Sequence, residues 1–127
     1  MTPALRILVV DDDPAVARLL ARTAMLEGAE VTVVEDGTAA RSAWAQGSFA
    51  LVLLDAMLPG VDGLSLCRER RQAGDRTPVV LVTARQPGDL EADSRAAGVD
   101  ATLAKPFAYA DLIRLIRRYA RPNADGA

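Results

Sequence analysis

The sequence contains no histidine, a single cysteine and few aromatic residues. Without an imidazole, the chain has no histidine ligand for a metal and no histidine base for a catalytic triad. Cys67 has no partner within the chain, which excludes an internal disulfide. No apolar run approaches the roughly 20 residues of a membrane span, and the N-terminus lacks the basic and apolar regions of a signal peptide. We therefore expect a cytoplasmic protein without a membrane partner.

Neither sign of charge dominates, because the formal net charge is only -2. This balance argues against direct binding of nucleic acid by this chain. A length of 127 residues suits one domain. We expect that domain over residues 1–120, and a tail or the start of a linker over residues 121–127.

Short apolar runs alternate with helical patterns along the chain. The runs "LRILVV", "ALVLLD" and "PVVLVTA" are typical of strands that are covered on both faces. The predicted strands span residues 5–10, 30–35, 50–55, 78–84 and 101–105, and the predicted helices lie near residues 14–27, 37–46, 63–73, 89–97 and 108–119. Five β/α units predict an α/β fold in which a doubly wound, five-stranded parallel sheet forms the middle of a three-layer sandwich.

Three consecutive aspartates follow the first predicted strand. Asp11 and Asp12 end that strand, and Asp55 ends the third. Functional groups of an open parallel sheet collect at the carboxyl ends of the strands, so neighbouring first and third strands would bring these carboxylates together. Like charges oppose full ionisation of such a cluster, whereas Mg²⁺ prefers oxygen ligands and would neutralise it. Asp13 has a different role, because its position before Pro14 predicts a helix N-cap.

Two further polar residues end predicted strands. Thr83 closes the fourth strand and Lys105 closes the fifth. A hydroxyl, an ammonium and three carboxylates at one sheet edge predict a phosphoryl-transfer site. Asp55 is the expected nucleophile, Lys105 and Mg²⁺ neutralise charge, and Thr83 binds a phosphoryl oxygen. Gly60 and Gly63 are expected to be turn residues, since no phosphate-binding loop pattern is present.

Four motifs, "ILVVDDDP", "LVLLDAMLPGVDG", "PVVLVTAR" and "GVDATLAKPF", resemble those of response-regulator receiver domains in the same order. The resemblance implies a flavodoxin-like fold with strand order 2-1-3-4-5. It implies that Asp55 is the phosphoacceptor and that Asp11, Asp12, Asp55 and the Met57 carbonyl bind Mg²⁺. It also implies that Thr83 and Lys105 contact the phosphoryl group, and that the peptide bond before Pro106 is cis.

The same resemblance implies partners. We expect a sensor histidine kinase or a histidine phosphotransfer protein to donate the phosphoryl group and to dock on the first helix, where Arg18 and Arg22 lie on the predicted exposed side. The output partner is unknown. A phosphorylation-dependent dimer is compatible with the family, but Ala101 and Leu115 replace charged residues expected in one known type of dimer interface. We expect a stand-alone regulator in preference to an excised fragment.

The sequence departs from many receivers at positions that affect signalling. Thr102 replaces an aromatic residue that changes rotamer on activation, so we expect the segment after Thr83 and the fourth helix to reorder directly. Met57 and Arg85 occupy positions that control hydrolysis of the acyl phosphate, and neither is suited to activating water. These features predict a long-lived phosphorylated state.

Two alternative functions share some of these features. An aspartate-nucleophile phosphohydrolase of the haloacid-dehalogenase type would use Asp11 and Asp13 as its D-x-D pattern, but it leaves "LVLLDAMLPGVDG" unexplained. A receiver-like protein that has lost phosphorylation would keep only the binding surface. The three consecutive aspartates, taken alone, are also typical of a solvated helix cap.

Overall fold

The computed structural model describes residues 5–84 and 87–121, with the backbone alone for residues 87–91. The strands are β1 (Leu5–Val10), β2 (Ala29–Val34), β3 (Leu51–Asp55), β4 (Met57–Leu58), β5 (Val61–Asp62), β6 (Val79–Thr83) and β7 (Ala101–Ala104). The helices are α1 (Pro14–Leu26), α2 (Gly37–Gln46), α3 (Gly63–Gln72), α4 (Pro87–Ala97) and α5 (Tyr109–Tyr119). Within the described ranges, none of these helices combines the length and apolar character that a membrane span requires.

Five of the strands form one parallel sheet with the spatial order β2-β1-β3-β6-β7. Because β4 and β5 lie outside this sheet, the order is the expected 2-1-3-4-5 arrangement. β4 and β5 pair with each other as a short antiparallel hairpin, which the sequence patterns did not predict. Gly60 has a positive φ of 81° in the turn of this hairpin, as expected of a turn glycine.

Helices cover both faces of the sheet. One face packs against α1 and α5, and the other packs against α2, α3 and α4. Every residue of β3 and β6 is buried, which confirms the prediction that these uninterrupted apolar runs are covered on both sides. Because helices cover both faces of the sheet, functional groups are left to the two ends of the strands, at the amino and carboxyl sides of the sheet.

Three local predictions differ from the structure. Val16, Leu19, Leu20, Thr23 and Leu26 recur at helical spacing and predict one apolar side of α1, but Leu26 is 76% exposed where the helix ends before Gly28. Gly63 is not a turn residue but begins α3, and a Cβ atom there would overlap the carbonyl oxygen of Asp55. Helix α4 begins at Pro87, earlier than its apolar residues indicate.

Candidate functional site

Three carboxylates meet at the carboxyl edge of the sheet. Asp11 and Asp12 follow β1, and Asp55 ends β3, which is the neighbour of β1. One carboxylate oxygen from each of the three lies within 4.8 Å of those of the other two. Asp11 and Asp55 are buried, whereas Asp12 is exposed. The parallel pairing of β1 with β3 therefore produces the acidic cluster that the sequence predicts.

Backbone N–H groups orient the two buried carboxylates. The Asp13 N–H donates to Asp11 Oδ1 at 2.9 Å, and the Met57 N–H donates to Asp55 Oδ1 at 3.2 Å. The Asp13 side chain itself accepts from the N–H groups of Ala15 and Val16, which confirms the predicted N-cap of α1. The backbone N–H groups of Asp13 and Met57 are contributions that residue types alone do not reveal.

Lys105 neutralises part of this negative charge. Its Nζ donates to Asp11 Oδ2 at 3.0 Å and lies 3.6 Å from Asp55 Oδ2. The Lys105 N–H donates to the Thr83 carbonyl oxygen at 2.7 Å, which links the last residue of β6 to the residue that follows β7. The peptide bond between Lys105 and Pro106 is cis, as expected. Lys105 is the only lysine of the sequence, and its ammonium pairs with two of the three carboxylates, those of Asp11 and Asp55.

The Asp55 carboxyl is harder to ionise than an ordinary aspartate, even with the Lys105 ammonium beside it. Burial raises the pKa of Asp55 above its ordinary value, and the charges of Asp11 and Asp12 act in the same direction. The Met57 N–H and the Lys105 ammonium oppose the rise without cancelling it. The donor set consists of carboxylate oxygens, and the exposed side of Asp12 leaves room for water. These residues fit a hard divalent cation such as Mg²⁺, which takes few protein ligands and keeps several waters.

The carboxylates line an open cavity of about 410 Å³. Its lining residues are Asp12, Asp13, Asp55, Met57, Thr83, Ala84 and Lys105. All six predicted site residues belong to this region, with Asp11 buried behind the lining, whereas Ala84 was not anticipated. A neighbouring cavity of about 480 Å³ is lined by the β4–β5 hairpin, the start of α3 and Asp93, and its described lining residues include no basic side chain. The smaller cavity is therefore the one suited to a phosphoryl group.

A model of the response regulator receiver domain matches residues 7–117 of the chain. The chain belongs to the response regulator receiver domain family. Receiver domains of this family act in two-component signalling, and that is the general role of this protein.

Known relatives agree with this assignment. The chain is 38% identical over 117 residues to an uncharacterized transcriptional regulatory protein, YkoG, of Bacillus subtilis, which covers 92% of this chain and 51% of the relative. It is 40% identical over 124 residues to the response regulator MprA of Mycolicibacterium vanbaalenii, covering 96% and 54% of the two chains. The receiver domain of the Francisella response regulator 1452 superposes with a TM-score of 0.86 at 28% identity, covering 91% and 96%. The chain thus spans about half the length of the curated relatives it matches.

Residues outside the cavity also have defined positions in this receiver domain. Arg18 and Arg22 are exposed on α1, as the helical pattern predicts. Thr102 is partly buried on β7, in register with Leu81 of β6. Arg85, which we expect to influence the lifetime of the acyl phosphate, lies outside the described residues.

Proposed function

We propose that this receiver domain takes a phosphoryl group from a partner's phosphohistidine onto Asp55. The donor is a sensor histidine kinase or a histidine phosphotransfer protein, since the chain has no histidine of its own. One observation carries the proposal: three aspartates with one carboxylate oxygen each within 4.8 Å of the others, two of them paired with the Lys105 ammonium, lie at a cavity that is open to a donor. Such a cluster of negative charge is unfavourable unless a bound cation offsets it.

In the proposed reaction, a carboxylate oxygen of Asp55 attacks phosphorus, the bond between phosphorus and the imidazole nitrogen breaks, and the imidazole leaves with the bonding electrons. Lys105 balances charge on the phosphoryl oxygens, and the Thr83 hydroxyl binds one of them. Asp11, Asp12, Asp55 and the Met57 carbonyl are the residues we assign to Mg²⁺ binding. When bound, Mg²⁺ supplies positive charge that offsets the charge of the transferred group.

The position of Asp13 favours this reaction over that of a haloacid-dehalogenase-type phosphohydrolase. In the latter, Asp11 and Asp13 would be the D-x-D pair. The Asp13 carboxylate instead accepts hydrogen bonds from two N–H groups at the start of α1. Asp11 lies completely buried against Lys105, so the more accessible Asp55 is the better nucleophile.

Phosphorylation then changes a protein-interaction surface by a population shift between two packings of the segment after Thr83 and of α4. We propose residues 1–120 as the functional unit, in the cytoplasm, with α1 as the docking element for the kinase. We assign it no direct contact with nucleic acid or membrane. A phosphorylation-dependent dimer would have to form without the charged network that Ala101 and Leu115 interrupt.

The direct test combines phosphorylation with two substitutions. Acetyl phosphate and Mg²⁺ should add one phosphoryl group to the isolated chain, and Asp55→Asn should abolish this modification in intact-mass and peptide mass spectrometry. Asp12→Ala should weaken Mg²⁺ binding in an NMR or fluorescence titration. Asp13→Asn is the matched control, because it removes an adjacent charge but preserves the helix cap.

The outcomes separate the candidate functions. Phosphate on a residue other than Asp55, or full modification of Asp55→Asn, would sink the assignment of the phosphoacceptor. No modification of the wild type, together with no binding of beryllofluoride, would favour a receiver that has lost phosphorylation. Rapid release of phosphate from a generic phosphate monoester would instead support a phosphohydrolase.

A further inference from the structure

One guanidinium fixes the C-terminal end of α4 to α3. Arg71 Nε and Nη2 donate to the Gly98 carbonyl oxygen at 3.1 and 3.0 Å, and Nη1 donates to the Asp75 carbonyl oxygen at 3.0 Å. Nη2 also lies 3.2 Å from Asp100 Oδ2. Hydrogen bonds from a charged donor are stronger than those between neutral groups. We call these four residues, Arg71, Asp75, Gly98 and Asp100, the Arg71 anchor.

The anchor is continuous with the sheet. Asp100 Oδ2 accepts from the Val79 N–H at 2.8 Å, and the Asp100 N–H donates to the Val79 carbonyl oxygen at 2.9 Å. The Tyr119 hydroxyl of α5 donates to the Asp100 carbonyl oxygen at 3.3 Å. The end of α4 is therefore held against the first residue of β6 and against α5 as well as against α3.

Gly98 is the residue that permits this close contact. Its φ is +88°, and a Cβ atom there would lie 2.8 Å from Arg71 Cγ. The Gly98 N–H donates to the Arg95 carbonyl oxygen at 3.1 Å, and the Val99 N–H donates to that of Ser94 at 3.0 Å. This is the Schellman arrangement, which closes the last turn of a helix. The end of α4 is thus terminated and anchored at one point.

The described side chains of α4, which belong to its C-terminal half, bury little apolar area. Among the α4 side chains that the structure describes, residues 92–97, the buried ones are Ser94 and Ala97. Both are small, so they remove little apolar area from water. The Ser94 hydroxyl has no hydrogen-bond partner, and burying an unpaired polar group disfavours the packing that buries it. Of the α4 residues whose side chains the structure describes, these two therefore hold the helix to the sheet only weakly, and the Arg71 anchor is its strongest described attachment.

We propose that the Arg71 anchor is a fixed pivot for α4. A change that begins at Thr83 turns the helix about Gly98, so that the displacement is largest at its N-terminal end. With 11 residues, that end lies about 16 Å from the anchor. Arg71 is accordingly a positioning residue. By holding the C-terminal end of α4 in place, it confines the movement on activation to the N-terminal part of the helix. The proposal rests on the proposed phosphorylation of Asp55, because the acyl phosphate is its trigger.

Residue-resolved hydrogen exchange by NMR tests the pivot in the whole chain, with and without beryllofluoride and Mg²⁺. In the wild type, the amides of Gly98, Val99 and Asp100 should change less than about twofold on activation, whereas amides within residues 84–93 should change by about fivefold or more. Shifts of the Asp55 and Thr83 amides report binding of the mimic independently.

Substitutions in the Arg71 anchor, measured by the same hydrogen-exchange experiment, provide a second test of the pivot. Arg71→Leu should speed exchange of the Gly98 and Val99 amides about tenfold, with or without the mimic, and should remove the difference between the two ends of α4. Arg71→Lys should have an intermediate effect, because an ammonium cannot reproduce the guanidinium fork. Arg70→Leu is the matched control, since Arg70 lies on the same helix and pairs with Asp75 Oδ2; it should leave the Gly98 amide unchanged.

The outcomes distinguish failure of the pivot from failure of the phosphoacceptor assignment. If the mimic binds but the two ends of α4 change equally, or if Arg71→Leu and Arg70→Leu behave alike, the pivot is wrong while the phosphoacceptor assignment stands. If the mimic does not bind, both proposals fail. If Arg71→Leu does not fold, the difference in exchange between the two ends of α4 in the wild type and the effect of Arg71→Lys still test the pivot.

Discussion

Asp12 should lower the stability of this receiver domain when no divalent cation is bound. It places a third negative charge beside Asp11 and Asp55, with Lys105 as the neighbouring cation. Asparagine has nearly the same shape as aspartate and carries no charge. We therefore expect Asp12→Asn to raise the free energy of unfolding in the absence of Mg²⁺, although it damages the site.

The separations within the cluster give the size of the expected change in the free energy of unfolding. At the 4.8 Å that bounds the separations in the cluster, two unit charges repel by about 3.5 kcal/mol at an effective dielectric constant of 20 and by about 0.9 kcal/mol in bulk water. Asp12 is exposed, so the lower value applies. The substitution removes two repulsions of about 1 kcal/mol each. Lys105 pairs with Asp11 and Asp55, and the loss of its longer-range attraction to Asp12 offsets part of this gain. The net stabilisation is about 1 kcal/mol, or roughly 3 to 5 °C in Tm for a domain of this size.

Thermal and urea unfolding in EDTA and in excess Mg²⁺ would measure the effect. Mg²⁺ should stabilise the wild type more than Asp12→Asn, because a ligand stabilises the state that binds it, so the difference should shrink or reverse. Asp13→Asn should change Tm little, because asparagine also caps a helix. A lower Tm of Asp12→Asn in EDTA, or an equal rise for Asp13→Asn, would refute the electrostatic reasoning.

Three further outcomes follow from particular side chains. The acyl phosphate should be long-lived because Met57, 61% exposed beside the cavity, neither accepts a proton nor orients water; Met57→Asn should shorten its lifetime, and a wild-type half-life of seconds in Mg²⁺ at neutral pH would contradict this. Thr102→Ala should leave intact the change in hydrogen exchange that beryllofluoride induces within residues 84–98, since a threonine cannot replace the aromatic side chain that changes rotamer in other receivers. Loss of that change would disprove direct reordering. Burial alone would raise the pKa of Asp75, but hydrogen bonds from Thr77 and Arg70 hold it below the ordinary 3.8. Ionised Asp75 therefore stabilises the fold fully above its unfolded pKa, and this contribution is lost as the pH falls through the lower folded pKa. Asp75→Asn should lower Tm at pH 7, and a difference that persists unchanged in acid would exclude the charge as its cause.

Local patterns were sufficient for the regular elements of this protein. Uninterrupted apolar runs identified three strands of the main sheet, weaker strand patterns identified the other two, and Asp13 followed by Pro14 identified the start of α1. These predictions succeed because burial on both faces and helix capping depend on residues that are adjacent in sequence. The β4–β5 hairpin was missed because strands of two residues have no periodicity to detect. Leu26 was misjudged because only the packed structure shows where α1 leaves the core.

The sequence by itself determined the α/β class, the chemical groups at the strand ends and, through four motifs, the family. Tertiary structure alone decided which of these groups meet. Lys105 Nζ reaches Asp11 Oδ2 at 3.0 Å across 94 residues of sequence, and Arg71 reaches Gly98 across 27. Hydrophobic periodicity specifies which face of an element is buried but not which strand lies beside it, and only the order of the strands brings distant residues to one edge of the sheet.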